Sequence, residues 1–187
     1  MQGAGIMHTC NMAGFRVRAA EPGDCEEIIR MIQELAEFEK LPDQVKNTAE
    51  GLCRDGFEES SPLFRCLVME SEDDEKRAAG PRLVGYALSF FVYSTWEGRS
   101  LHLEDLYIRP QYRGGGLGSK LFAAVAESCL ALGCARLQLS VLDWNHPAIS
   151  FYRSRGARDL SAEEGWRLYR FLPEDLRRIT GSADPSV

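Results

Sequence analysis

Apolar positions along the chain change period several times, and each period predicts an element. "FRVRAA" at 15–20 alternates and predicts a first strand. Ile28, Met31, Ile32, Leu35 and Phe38 recur every three or four residues, as one face of a helix does, with Pro22 at its start and Pro42 as its stop. Asp24, Glu26 and Glu27 stand where the positive end of that helix favours acids. A shorter helix is predicted around 48–55. "LFRCLVME" (63–70), the almost unbroken "RLVGYALSFFVYS" (82–94) and "SLHLEDLYIR" (100–109) predict three strands, the second of them central. A helix follows over 117–132, a strand over 136–142, and a short helix over 146–155 that opens with Pro147 and stops at Gly156. "WRLYRF" (166–171) predicts a last strand, and 173–179 a closing helical turn. The order β-α-α-β-β-β-α-β-α-β predicts a mixed α/β layer fold.

Residues 1–14 have no periodicity and are expected to form a flexible extension, with 181–187 as a flexible tail. The charged run "SEDDEKRAAGP" (71–81) holds no core residue and predicts a hairpin loop. What remains, 15–180, is expected to be a single domain, a size that supports one buried core. The net charge of −6 argues against a general binder of nucleic acid or anionic membrane and favours a cationic substrate or partner. No run of 18 apolar residues occurs, and the first residues show no secretory pattern. Six cysteines, at 10, 25, 53, 66, 129 and 134, form no CxxC pair, and only His8, His102 and His146 are available beside them. No metal site is therefore expected. Cys25, Cys66 and Cys129 lie among apolar neighbours and are expected to be small core residues of a reduced, cytoplasmic protein.

The chemistry concentrates in "QYRGGGLGSK", four glycines in eight residues directly before the helix at 117–132. A helix start exposes four N–H groups and a partial positive charge, and glycines let an anion come close. The loop thus reads as a phosphate cradle, or as a tight strand-to-helix turn that holds nothing. The Walker pattern fails because Ser119 separates Gly118 from Lys120, and GxGxxG fails because Leu121 occupies the third glycine position.

Arg113-x-x-Gly116-x-Gly118 between a strand and a helix resembles the pyrophosphate-binding motif of the GNAT acetyltransferase superfamily. "LEDLYIRPQYRGGGLGSKL", "VLDWNHPAISFYRSRGA", "EEGWRLYRF" and "PGDCEEIIRMIQELAEFEKL" together resemble its spermidine/spermine, or diamine, acetyltransferase family. The likeness runs from about Phe15 to Phe171, and "FEKL", "YSTWEGR" and "VLDWN" are most similar to the thialysine-acetylating branch. The resemblance implies the GNAT fold, with a mixed sheet splayed between the strands at 100–109 and 136–142 and acetyl-CoA in the gap. It implies a homodimer in which the segment around Trp166 is exchanged; a tryptophan buried within one chain is the alternative. The implied reaction moves an acetyl group to the primary amine of thialysine, a lysine-like amino acid, a diamine or a polyamine.

Such a transfer poses two proton problems. A lysine-like amine has a pKa of about 10, so roughly one molecule in a thousand is neutral at pH 7. The departing thiolate also needs a proton. Glu104 sits in an apolar strand, where a carboxylate is costly unless paired or functional, and the resemblance implies the general base there. Strict alternation would put it with His102, Leu106 and Ile108 on one face and Leu101, Leu103, Asp105 and Tyr107 on the other, which also suits an ordinary surface glutamate. Tyr152 is the implied acid, one turn after Ile149; a core-facing aromatic is the alternative.

For the cofactor, the resemblance implies the backbone of Leu106, Tyr107 and Ile108 along the pantetheine arm. It implies Arg113, Gly114, Gly115, Gly116, Leu117, Gly118 and Ser119 at the pyrophosphate, with Asn145, His146, Pro147, Ala148 and Tyr152 as further contacts. Asn145 also fits a helix N-cap, and Arg109, Arg113 and Lys120 offer positive charge. For the amine it implies Phe38, Glu39, Glu104, Gln138, Leu139 and Ser140, to which Asp105 and Asp143 could add negative field. A protein lysine acetyltransferase and a non-catalytic CoA-binding module are the competing readings.

Overall fold

Among the described residues five strands form one sheet in the order β1-β2-β3-β4-β5, antiparallel through β4 and parallel between β4 and β5. They are β1 (Phe15–Ala19), β2 (Arg65–Ser71), β3 (Leu83–Ser94), β4 (Gly98–Ile108) and β5 (Leu137–Leu139). This computed structural model describes residues 14–72 and 81–181. The expected N-terminal extension, Cys10, most of the charged hairpin loop and the C-terminal tail lie outside the described residues. The chain divides into two compact units, one ending at Ser140 and one beginning at Val141.

In the first unit the sheet is packed on both faces. On one face lies α1 (Cys25–Phe38) with α2 (Ala49–Cys53); Cys25, Ile28, Met31 and Leu52 meet Val68, Leu83, Tyr86 and Tyr107. On the other lies α3 (Leu117–Ala131), whose Leu117, Leu121, Val125 and Cys129 repeat every four residues and meet Met69, Val84, Leu101 and Leu103. This is the mixed α/β architecture the patterning predicts. Cys25, Cys66 and Cys129 are buried, as expected of small core residues. The stop of α1 differs from the expectation: Lys40, with φ of 63°, turns the chain before Pro42, and Leu41 N–H closes on the Ala36 carbonyl at 2.9 Å.

A buried charge network ties the start of this unit together. Asp24 and Glu70 are 1% and 3% exposed. Arg18 donates to Asp24 at 2.6 Å and to Glu70 at 2.9 Å, Arg16 donates to Glu70 at 2.8 Å, and Arg82 pairs with both acids. Asp24, expected only to favour the helix dipole, is therefore a structural hub.

Two corrections concern strands. The strand expected at 136–142 shrinks to β5, because only Leu137–Leu139 find a register on β4, against Leu101–Leu103. The strand expected at 166–171 does not form among the described residues. The described residues of the second unit hold three helices instead, α4 (His146–Arg153), α5 (Leu160–Glu164) and α6 (Pro173–Thr180). Between α5 and α6, Trp166, Leu168, Tyr169 and Phe171 are exposed, Leu168 by 83% and Tyr169 by 78%. A β-pattern becomes a strand only where an edge accepts its hydrogen bonds, and among the described residues the segment pairs with none. Trp166 is 58% exposed, which removes the reading of a tryptophan buried within one chain.

Candidate active site

The strand that carries Glu104 is irregular at that residue. Leu88 pairs with Asp105 and Ser89 with Leu103, so Glu104 is an extra residue with no partner on β3. This β-bulge resets the alternation. Leu101 and Leu103 share the α3-side core with Leu106 and Ile108, whereas Tyr107 joins the α1-side core. The strict alternation expected from the sequence, with Glu104, Leu106 and Ile108 opposite Leu101 and Leu103, is therefore wrong beyond Leu103. A carboxylate at the bulge escapes both cores: Glu104 is exposed, and its Oε2 lies 3.4 Å from His102 Nε2.

Beyond the same point β4 loses its outer neighbour. Pairing with β5 ends at Leu103 and Leu139, while β4 continues along β3 to Ile108. Leu106 packs into the core, and Tyr107 and Ile108 are buried, so these residues can offer a ligand only their main chain. The closeness of β3 is secured at Gly85, where a side chain would meet the Tyr107 carbonyl at 2.6 Å.

A 3-10 turn, Pro110–Tyr112, leads from β4 into the glycine loop. Gly114 and Gly116 have φ of 81° and 82°, in the left-handed region open to glycine. Gly116 is the N-cap of α3 and brings no side-chain oxygen to its first turn. Capping by a bare residue leaves the positive end of a fifteen-residue helix open to an anion. Gly118 lies in that turn beside Ile108, Leu117 faces the core, and Gly115 and Ser119 complete the loop.

The three cations offered as loose charge are internally engaged. Arg113 Nε donates to the Ile108 carbonyl at 2.7 Å, and its guanidinium lies over the rings of Phe38 and Tyr107, 5.5 and 5.4 Å from their centroids. Arg109 is buried beside Glu34, at 3.2 Å, and Glu27, at 3.9 Å. Lys120 donates to the Phe15 carbonyl. Arg113 thereby fixes the glycine loop to the end of α1, where Phe38 and Glu39 stand.

Carboxylates gather around Glu104. Burial, with the Glu104 charge added, raises the Glu39 carboxyl above its ordinary value. Burial pushes Asp105 up to about 6; the Tyr86 hydroxyl, donating to it at 2.9 Å, pulls it back, and the Glu104 and Glu39 charges push further. On β5, Gln138 lies 3.5 Å from His102 and accepts from Arg136 at 3.2 Å. Leu139 packs against the core, and Ser140 follows the strand. The sequence reading missed Tyr86 and His102 as neighbours of the acids. His102 stands two residues before Glu104, a spacing that could have drawn notice, whereas Tyr86 looks like any aromatic of a central strand.

In the second unit, Asn145 Oδ1 accepts from Ala148 N–H at 3.3 Å, so it is the N-cap of α4, with His146 and Pro147 in the first turn. Tyr152 is half-buried near the end of α4, its ring edge-on to Phe151 at 5.3 Å.

Residues 28–157 match the Acetyltransferase (GNAT) family, across both units. This chain belongs to the GNAT acetyltransferases. It is 50% identical over 170 residues to the thialysine N-epsilon-acetyltransferase of Sus scrofa, covering 91% of this chain and 99% of that protein. It is 42% identical to the human spermidine/spermine N(1)-acetyltransferase-like protein 1, over 91% of this chain but 24% of that protein. A solved aminoglycoside acetyltransferase from an uncultured soil metagenomic sample shares the fold at 16% identity, with a TM-score of 0.66 over 85% of this chain and 97% of that one. The chain is thus an N-acetyltransferase of the GNAT fold. GNAT acetyltransferases use acetyl-CoA as co-substrate, and two features here fit it: the bare N-terminus of α3 for the diphosphate, and the unaccompanied edge of β4 for an amide-bearing arm. No helix among the described residues is long and apolar enough to cross a membrane.

Proposed function

We propose that this GNAT acetyltransferase acetylates a primary amine of a small cationic acceptor by direct attack in a ternary complex. The acceptor class is thialysine, a lysine-like amino acid, or a diamine or polyamine. The observation that carries this reading is the position of Glu104, lifted out of the β4–β3 ladder by a bulge, with Glu39 and Asp105 as electrostatic neighbours. Several carboxylates concentrate a cation and hold it where its proton can be removed.

Acetyl-CoA supplies the thioester carbonyl. Gly114, Gly115, Gly116, Leu117, Gly118 and Ser119 would hold its diphosphate through main-chain N–H groups, with Arg113 keeping the loop in place. Leu106, Tyr107 and Ile108 would align the arm by their backbone, as an added strand is aligned. Glu104 takes a proton from the ammonium, directly or through water. The neutral nitrogen then forms the C–N bond as the C–S bond breaks; Tyr152 gives its proton to the departing sulfur, and the proton shed by the acylated nitrogen restores the phenol, while Glu104 passes its own to solvent. Asn145, His146, Pro147 and Ala148, at the start of the helix that carries Tyr152, are further cofactor contacts in this proposal. Phe38, Gln138, Leu139 and Ser140 complete the acceptor side.

A panel of purified amines with acetyl-CoA, followed by free CoA release, tests the reading. Thialysine, lysine, a diamine and spermidine should include at least one acceptor that releases CoA in proportion to acetylated product. Absence of product from all of them would refute the proposal.

The same reading includes a homodimer. Its support is the exposed apolar run Trp166, Leu168, Tyr169 and Phe171, patterned as a strand yet unpaired in one chain. A second copy offers the missing edge. Sedimentation velocity at micromolar protein should show a species of twice the chain mass; a monomer under those conditions rejects this part. A cytoplasmic location, suggested by the five cysteines among the described residues being free, is checked by fractionating cells that express the tagged chain.

A further inference from the structure

Among the described residues Tyr86 is the largest side chain with no exposed surface, and it is not purely a packing residue. Its ring lies in the α1-side core, 6.2 Å from that of Tyr107, and its hydroxyl donates to Asp105 Oδ2 at 2.9 Å. A core position needs no hydroxyl, and a phenylalanine would fill the same volume. Asp105 directly follows the bulged Glu104 and is half-buried. Its charged and titratable neighbours are Glu104 on its own strand, Glu39 at the end of α1, Tyr86 on β3 and Cys66 on β2. Among the influences on the Asp105 carboxyl, the Tyr86 hydroxyl alone favours its ionised form. Burial and the two neighbouring carboxylates all favour the neutral acid.

We propose that Tyr86 is a positioning residue for amine recognition: its hydroxyl orients Asp105 as an anion, so that Asp105 and Glu39 hold the acceptor's cationic nitrogen beside Glu104. The inference rests on the acetyltransfer reading above and names the device that gives that site its acceptor class. Asp105 binds in this account; it is not the base. An arriving ammonium compensates a charge that the two neighbouring acids oppose, whereas a neutral acceptor leaves three carboxyl groups in mutual repulsion. The preference for a cation thus follows from the crowding itself.

Tyr86→Phe keeps the ring and removes only the hydroxyl. Losing this hydrogen bond is expected to lift the Asp105 carboxyl by about one pH unit from about 6, which raises KM for the amine about twofold at pH 7 and about tenfold at pH 5. kcat and KM for acetyl-CoA should stay within about twofold. The acid limb of kcat/KM for the amine should move up by about one pH unit, so the variant approaches the wild type above pH 8. In an Asp105→Asn background the same change should have no further effect on KM. A purely structural tyrosine would give the opposite pattern: an unmoved pH limb, or equal losses in both backgrounds, and either overturns the proposal. If Tyr86→Phe does not fold, the wild type still decides. By carbon-13 NMR, the Asp105 carboxyl should titrate at least one pH unit lower with saturating amine than without, and an unmoved titration rejects the role. Failure of the wider reading looks different: the wild type itself releases no CoA with any amine.

Discussion

Glu104→Gln is expected to lower kcat/KM for the amine by about 10²- to 10⁴-fold at pH 7, the range associated with a positioned general base. The glutamine keeps the size of the side chain, and the bulge is a backbone feature, so the fold and the β4 edge survive. Acetyl-CoA binding, measured by calorimetry, should be unchanged, because the glycine loop and the main chain of Leu106–Ile108 are untouched. The deficit should narrow as pH rises toward the amine's own pKa of about 10, where solvent supplies the neutral nitrogen that Glu104 otherwise prepares. Tyr152→Phe should also slow turnover with acetyl-CoA binding intact, without that recovery at high pH. Turnover of Glu104→Gln within threefold of wild type across the pH range would take the base away from this residue.

Asp24→Ala carries the largest expected cost to the fold. Its carboxylate is buried between Arg18 and Arg82 and accepts the Glu21 N–H at 2.8 Å. Although burial works against ionisation, the hydrogen bonds from Arg18 and Glu21, and the charges of Arg18 and Arg82, hold the carboxyl below its ordinary value. Removing one partner of a buried pair strands the other charge and costs about 3–5 kcal/mol. For a chain of this size that is a fall in Tm of roughly 6–20 °C. Urea denaturation of the variant should show the loss in its midpoint; a loss under 1 kcal/mol means the network contributes little. The same network predicts an acid limb. The Arg18 hydrogen bond, acting against burial, holds Glu70 down at about 2, from an ordinary 4.5. A depressed carboxyl stabilises the fold fully above its unfolded pKa. That contribution, up to about 3 kcal/mol, drains away as pH falls from 4.5 through 2, while stability between pH 6 and 8 stays flat with respect to this group.

These outcomes rest on features that differ in how far the sequence reveals them. The helices at 25–38 and 117–131 were legible because a helix buries a stripe whose spacing is set by its own geometry, seen in Ile28 and Met31 and in Leu117, Leu121 and Val125. The glycine loop was legible for a similar reason, since a left-handed turn into a helix start draws on very few residue types. The 166–171 segment misled because its β-pattern is real, yet among the described residues no strand pairs with it. β5 came out short because register on β4, not propensity, set its length.

By itself the sequence determined the helices other than α5, the strands through β4, the glycine turn and the acetyltransferase resemblance, since each is written in local spacing or in residue types at fixed separation. Only the tertiary structure decided that Glu104 stands on a bulge and that Tyr86 reaches Asp105. It also decided that Arg113 is spent on holding the loop and that Asp24 and Glu70 share two arginines, Arg18 and Arg82. The physical reason is that a bulge depends on two strands counted against each other, and a buried hydrogen bond on which faces the sheet brings together. Neither quantity belongs to any single stretch of chain.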